Sequence, residues 1–305
     1  MKTETLTKKI LRGSISLFLS LVLALSLVLL ASLPVLCTLS SSESWSQIAK
    51  NSGYAEEMKE TLLKKYAFLN ESSGVPNSVC DTFLKEQLSS DAAIAPIMGM
   101  FSEPTSFDRE AITEAFCLKV EEYAVSLWES GELKITEEEW AEMKSDFPTL
   151  AKYYIDEMYS AVNMSGVFSS LGGALGIMQK LILPIAVAGG LFAAFSMVLL
   201  ILIQKKKIFF YAYLGFFSSG LLLTVPTVWL GKGNYVARLG IEPLYLKDII
   251  AAVVNVLIQK LMTFGIAFLA VGLICGVLAI IFRQKTRTKV GEEKENDQNV
   301  SGCNA

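Results

Sequence analysis

Four stretches of the chain, residues 14–39, 181–204, 208–230 and 261–282, carry no Asp, Glu, Lys, Arg or His. About twenty apolar residues suffice to cross roughly 30 Å of hydrocarbon as a helix, so each stretch is predicted to be a transmembrane helix. Between the second and third stand only Lys205, Lys206 and Lys207, a hinge at residues 205–207 too short for anything but a helical hairpin. A short loop this basic marks the cytoplasmic side. By alternation both termini are cytoplasmic: a basic tail at residues 1–13, and a polar, disordered tail at 283–305 that begins with Arg283, Lys285, Arg287 and Lys289. Residues 40–179 and 231–260 then fall outside.

The first apolar stretch follows Lys2, Lys8, Lys9 and Arg12. A cleaved signal peptide begins in the same way, but its apolar core is usually about 7 to 15 residues, and this one is longer, so it reads as an uncleaved signal anchor. Ser16, Ser20, Ala24 and Ala31 form a narrow small-residue stripe. Such a stripe admits a neighbouring helix; ordinary lipid-facing composition is the plainer alternative. In the fourth stretch Gly265, Gly272 and Ala279 recur every seven residues, and Gly276 completes a G-x-x-x-G with Gly272. This predicts close helix packing, within the chain or in an oligomer.

From 40 to 179 the apolar positions follow a helical period with almost no alternation, so the fold class is all-α: four membrane helices with a large all-helical domain between the first two. One helix is expected from Tyr54 to Leu69, followed by a loop over Asn70 to Pro76, and a second capped by Asn77. Thr105 and Asp108 precede a third, whose Phe116, Val120, Tyr123 and Leu127 form a core stripe. Thr136 with Glu139 makes a capping-box pattern, and Pro148 is expected to start a further helix. The glycines from Gly166 to Gly176 suggest a loosely helical segment at the membrane surface. After Glu242-Pro243 the helical pattern continues to Phe282, about twice the length a bilayer holds, so its first half needs a partner outside the membrane, and the 40–179 domain is the one available.

Composition then narrows the chemistry. The chain is 52% hydrophobic with net charge -3, but residues 40–178 hold 23 acids against 10 bases while the remainder holds 7 against 17. Nucleic acid is therefore not an expected partner of the exposed domain. Histidine is absent, which removes the commonest general base and metal ligand. No nucleotide, metal or nucleophile motif occurs, so no cofactor, metal or catalytic residue is assigned. The acids from Glu137 to Glu142 lack the spacing of a calcium loop and read as a solvated helix start. Asn70-Glu71-Ser72 and Asn163-Met164-Ser165 match the glycosylation triplet, which is common by chance.

Five cysteines show no C-x-x-C spacing. Cys80 and Cys117 both lie in the outer domain, where a disulfide would close about 36 residues and contribute roughly 3 to 4 kcal/mol; two buried thiols are the alternative. The pattern as a whole points to a non-enzymatic, multi-pass cell-membrane protein embedded in membrane lipids, whose extracytoplasmic domain binds an unidentified protein partner. A subunit of a transport or channel assembly is the alternative, although no Asp, Glu, Lys, Arg or His lies within the spans. A membrane enzyme using carboxylates such as Glu114 and Glu121 is a third.

Overall fold

The structure is a computed structural model that describes residues 2–101, 108–162, 165–204, 207–233, 235–238 and 240–302. Lys205 and Lys206, Thr105, Asn163 with Met164, and Cys303 lie outside the described residues. Among those described there are helices and turns and no strand. The chain divides into two compact units, one built from residues 1–37, 179–234 and 255–305, the other from 38–178 and 235–254.

The first unit contains most of the length of the apolar helices, with α8 and α11 beginning in the second. Helix α1 (Lys2–Leu39) precedes the other unit's helices α2 (Ser42–Asn51), α3 (Tyr54–Ser73), α4 (Asn77–Gln87), α5 (Ser90–Met98), α6 (Arg109–Glu129) and α7 (Glu137–Val162). Then come α8 (Ser165–Gln204), α9 (Ile208–Gly233), the single turn α10 (Tyr235–Arg238) and α11 (Leu244–Gly302). Four of them contain segments long and apolar enough to cross a membrane, over Ile10–Leu39, Ser170–Gln204, Ile208–Gly233 and Leu244–Gln284. Prolines 34, 184 and 226 sit inside α1, α8 and α9. Membrane helices tolerate them because neighbouring helices can satisfy the freed carbonyls.

Helix α1 is the most enclosed of the four. Its Leu19, Leu23 and Leu27 form a core with Leu200 of α8, flanked by Tyr211 and Phe216 of α9. The small-residue stripe faces inward: Ser16, Ser20, Ala24 and Ala31 are all buried. The Ser20 hydroxyl reaches the Tyr211 carbonyl at 3.0 Å, and the Gln204 amide donates to the Ser16 hydroxyl at 2.7 Å. Small side chains bring the backbones close enough for these bonds, so the packing reading of the stripe is the right one.

The second unit is a bundle of short helices over an aromatic core. Tyr54, Met58, Leu62 and Tyr66 of α3, Phe83 and Leu84 of α4, Phe116 of α6 and Tyr154, Ile155 and Met158 of α7 are buried. Phe116 contacts both Phe83 and Tyr154, with ring centroids 4.8 and 4.9 Å apart. The start of α11 completes this core: Tyr245, Ile249 and Val253 are buried, the Tyr245 ring meets Tyr54 edge-on at 5.4 Å, and its hydroxyl donates to the Ala161 carbonyl at 3.1 Å. The apolar face expected to need a partner has found one.

Several boundaries differ from those the sequence predicts. Helix α3 runs on to Ser73, because Gly74 adopts the left-handed conformation (φ 73°) and its N–H reaches the Asn70 carbonyl at 2.9 Å. Asn77 is the first residue of α4 and not its cap, a position held by Pro76. Pro148 starts no helix; it lies inside α7, whose buried Phe147, Ala151, Tyr154 and Ile155 continue one apolar face past it. Burial of that face outweighs a proline cost of about 3 kcal/mol. The glycine-rich stretch is part of α8, and Gly172 is required there, since a Cβ would stand 2.8 Å from the Met100 carbonyl oxygen. Beyond Phe282, where a disordered tail was expected, α11 continues to Gly302. The intervening sequence has no proline and is rich in Lys, Arg, Gln and Glu, all good helix formers.

Candidate functional site

Two places in the helical unit combine polar chemistry with enclosure. The first is a groove of about 560 Å³ where α6 and α7 diverge, lined by Arg109, Glu114, Cys117 and Leu118 on one side and Pro148 and Lys152 on the other. Asp108 caps α6 by accepting from the Ala111 N–H at 3.0 Å, which fixes the helix end that presents Arg109. The Arg109 guanidinium pairs with Asp156 and stacks over the Tyr159 ring at 5.2 Å, so it is oriented from both sides. At the other end of α7 the capping box forms as expected: the Thr136 N–H donates to Glu139 at 2.8 Å and the Glu139 N–H to the Thr136 hydroxyl at 3.3 Å. The bond from the Thr136 N–H holds the Glu139 carboxyl below its usual range.

The second place is an internal polar knot. Asn70 satisfies most partners with its amide nitrogen directed at the Tyr66 and Val75 carbonyls (3.1 and 3.2 Å) and the Tyr154 hydroxyl (2.5 Å). Tyr154 in turn lies 2.7 Å from the Ser73 hydroxyl, and the Tyr66 hydroxyl donates to the Tyr154 carbonyl at 2.8 Å. Burial raises the pKa of both phenols. These bonds satisfy polar groups that would otherwise be costly inside the core. They also commit the nitrogen of Asn70 to the interior, so the first glycosylation triplet is a structural element. Nothing in the sequence marks Asn70 for this role except its place one turn before Gly74.

The predicted disulfide is absent: Cys80 and Cys117 are both free thiols. Cys80 faces the Asn70 knot, where burial pushes its pKa up to about 11, while Cys117 opens on the α6/α7 groove. Burial, with Glu121 nearby, raises the Cys117 pKa as well, which makes it a poor nucleophile. Glu121 pairs with Lys144 at 2.6 Å, while Glu114, two turns earlier on α6, lines the groove. Among the described residues no three His, Cys, Asp or Glu side chains gather as metal ligands. The groove has room for a side chain or a short segment of another molecule.

In the first unit the glycines of α11 line its contact with α9. A Cβ at Gly265 would lie 2.4 Å from the Thr224 hydroxyl, one at Gly272 2.9 Å from the Phe217 nitrogen, and one at Gly276 3.1 Å from the Tyr213 ring. Gly220 of α9 answers from the opposite side, 2.9 Å from the Gly265 carbonyl oxygen by the same measure. Ala279 is half-buried. Of the hinge, Lys207 is described; it is exposed, and its N–H bonds to the Gln204 carbonyl. Comparison of the chain with known protein families, curated proteins and solved structures finds none that matches it.

Proposed function

We propose that this is a multi-pass membrane protein, without catalysis of its own, whose helical domain lies on the extracytoplasmic side and recognises a protein partner. The observation that carries the reading is helix continuity. Helix α8 is unbroken over Ser165–Gln204, and α11 passes from the aromatic core at Tyr245 through Lys260 into its apolar stretch without interruption. A partner bound to the domain is thereby coupled to the membrane helices. The α6/α7 groove, with the exposed Leu118 beside it, is the recognition surface. The domain's surplus of acids over bases favours a partner with a basic face. The three basic segments, at the N-terminus, the hinge and after Phe282, support cytoplasmic placement of both termini.

The test is site-specific photocrosslinking in cells. A crosslinker at Leu118 should give one discrete adduct, and one at Phe68, an exposed position on α3, should not. Protease added outside intact cells should cut the domain and spare a C-terminal epitope. Equal adducts from both positions, or a domain shielded from the protease, would refute the reading.

A further inference from the structure

The bundle gathers three basic segments that are remote in sequence to one of its ends. The Gln204 amide, at the last residue of α8, donates to the Arg12 carbonyl at 3.3 Å as well as to the Ser16 hydroxyl, which ties the hinge to the start of α1. On the other side of the hinge Phe209 stacks flat on Phe282, with centroids 5.2 Å apart and planes 3° from parallel, which ties it to α11 immediately before Arg283. Arg12, Lys207 and Arg283 are all exposed there, and none of them pairs with a carboxylate whose side chain the structure describes. This contrasts with the helical unit, where six of the bases are held in ion pairs. Positive-inside topology needs only that cations lie on one side. It does not need them gathered on one rim by a half-buried amide and a ring stack.

We infer that this rim is a binding site for the phosphate headgroups of anionic phospholipids. Unpaired cations at the edge of an apolar bundle match the chemistry of a lipid that offers a negative headgroup above hydrocarbon tails, and each cation near an anionic surface strengthens binding about fivefold. Lysine serves as a point charge and arginine as a fork that can take two phosphate oxygens. The apolar face beside the rim, with Leu202 and Phe210 exposed, offers the tails a surface. The inference rests on the reading that these helices span a bilayer, and it adds which lipids they hold.

The experiment is native mass spectrometry of the full chain in neutral detergent, titrated in parallel with phosphatidylglycerol and phosphatidylcholine. Retention of phosphatidylglycerol at least tenfold above phosphatidylcholine is expected. The triple variant Arg12→Gln, Lys207→Gln, Arg283→Gln should lose that preference, and Arg12→Lys with Lys207→Arg should keep it. Removing two charges elsewhere, by Lys232→Gln and Lys260→Gln, should leave it unchanged. Equal retention of both lipids, or a preference that falls as much in the Lys232 and Lys260 variant, would overturn the site. Carbonate extraction of membranes tests the spanning reading separately: a chain that resists extraction yet shows no lipid preference sinks this inference alone.

Discussion

Replacing Gly272 by alanine measures how closely α9 and α11 depend on backbone approach. The added methyl would stand 2.9 Å from the Phe217 nitrogen and 3.1 Å from its Cα, both backbone atoms that no rotamer change can move. Carbon contacts are most favourable at about 3.5 to 4.0 Å, so the helices must part by roughly 0.5 to 1 Å, which forfeits a quarter to a half of the dispersion energy of each affected contact. Overpacking of this kind typically costs about 1 to 3 kcal/mol. The gain in helix propensity from glycine to alanine, about 1 kcal/mol, offsets part of it. Gly190→Ala is the reference, since a Cβ there meets nothing within 4 Å and collects the propensity gain alone. Unfolding in mixed detergent and SDS micelles, followed by circular dichroism, should therefore place Gly272→Ala about 1 to 3 kcal/mol below Gly190→Ala. Gly276→Ala should fall between them, because the Tyr213 ring it meets can turn aside. Equal stability of all three variants would refute the packing of α9 on α11.

Pro148→Ala distinguishes one long α7 from two helices meeting at the proline. In a continuous helix the change relieves a proline cost of about 3 kcal/mol, less about 0.4 to 1 kcal/mol of entropy returned to the unfolded chain. Thermal unfolding should show a clear gain, whereas a proline at a helix start would give none. Alkylation with a maleimide near neutral pH should modify Cys117 well before Cys80, and mass mapping that finds neither thiol reactive before reduction would restore the disulfide. Because burial raises the Cys80 pKa from 9.0 to about 11, its contribution to stability is complete below pH 9 and is lost as the pH rises toward 11. The Cys80→Ala variant should lose less stability over that interval than the parent; an identical alkaline profile would show that Cys80 plays no part. Tyr66→Phe removes one buried hydrogen bond, to the Tyr154 carbonyl, and should cost about 0.5 to 1.5 kcal/mol by denaturant titration.

The features legible in the sequence were those set by a single physical rule acting over many residues. Apolar length predicted four membrane-length helices because bilayer thickness leaves no alternative. The start of α11 could be recognised as needing a partner because its length exceeds what hydrocarbon can cover. Pro148 misled because its intrinsic cost is local, while the apolar face that overrides it runs from Phe147 to Met158. Asparagine near glycine usually marks a loop, but the Asn70 amide serves the buried Tyr66 and Val75 carbonyls, a role only tertiary contact creates. Cys80 and Cys117 each lie near the apolar side of a helix, but the helices turn one into the knot and the other into a groove. The convergence of Arg12, Lys207 and Arg283 depends on Gln204 and on a pair of phenylalanines, none of which is charged.

The ring pair of Tyr54 and Tyr245 joins residues separated by almost two hundred positions, and α8 and α9 lie in the sequence between them. At about 5 to 20 residues per second, synthesis of the intervening chain takes on the order of 10 to 40 s. Throughout that interval Tyr54 lacks the helix that covers it, as does the Ala161 carbonyl over the last 84 residues of synthesis. The domain is therefore an unfinished product until the α8–α9 hairpin has been made, and chaperones or proteases that patrol exposed aromatic surface have that long to act on it. A chain that stalls before Tyr245 would present them with an open core, so completion of the domain certifies that the hairpin has been translated.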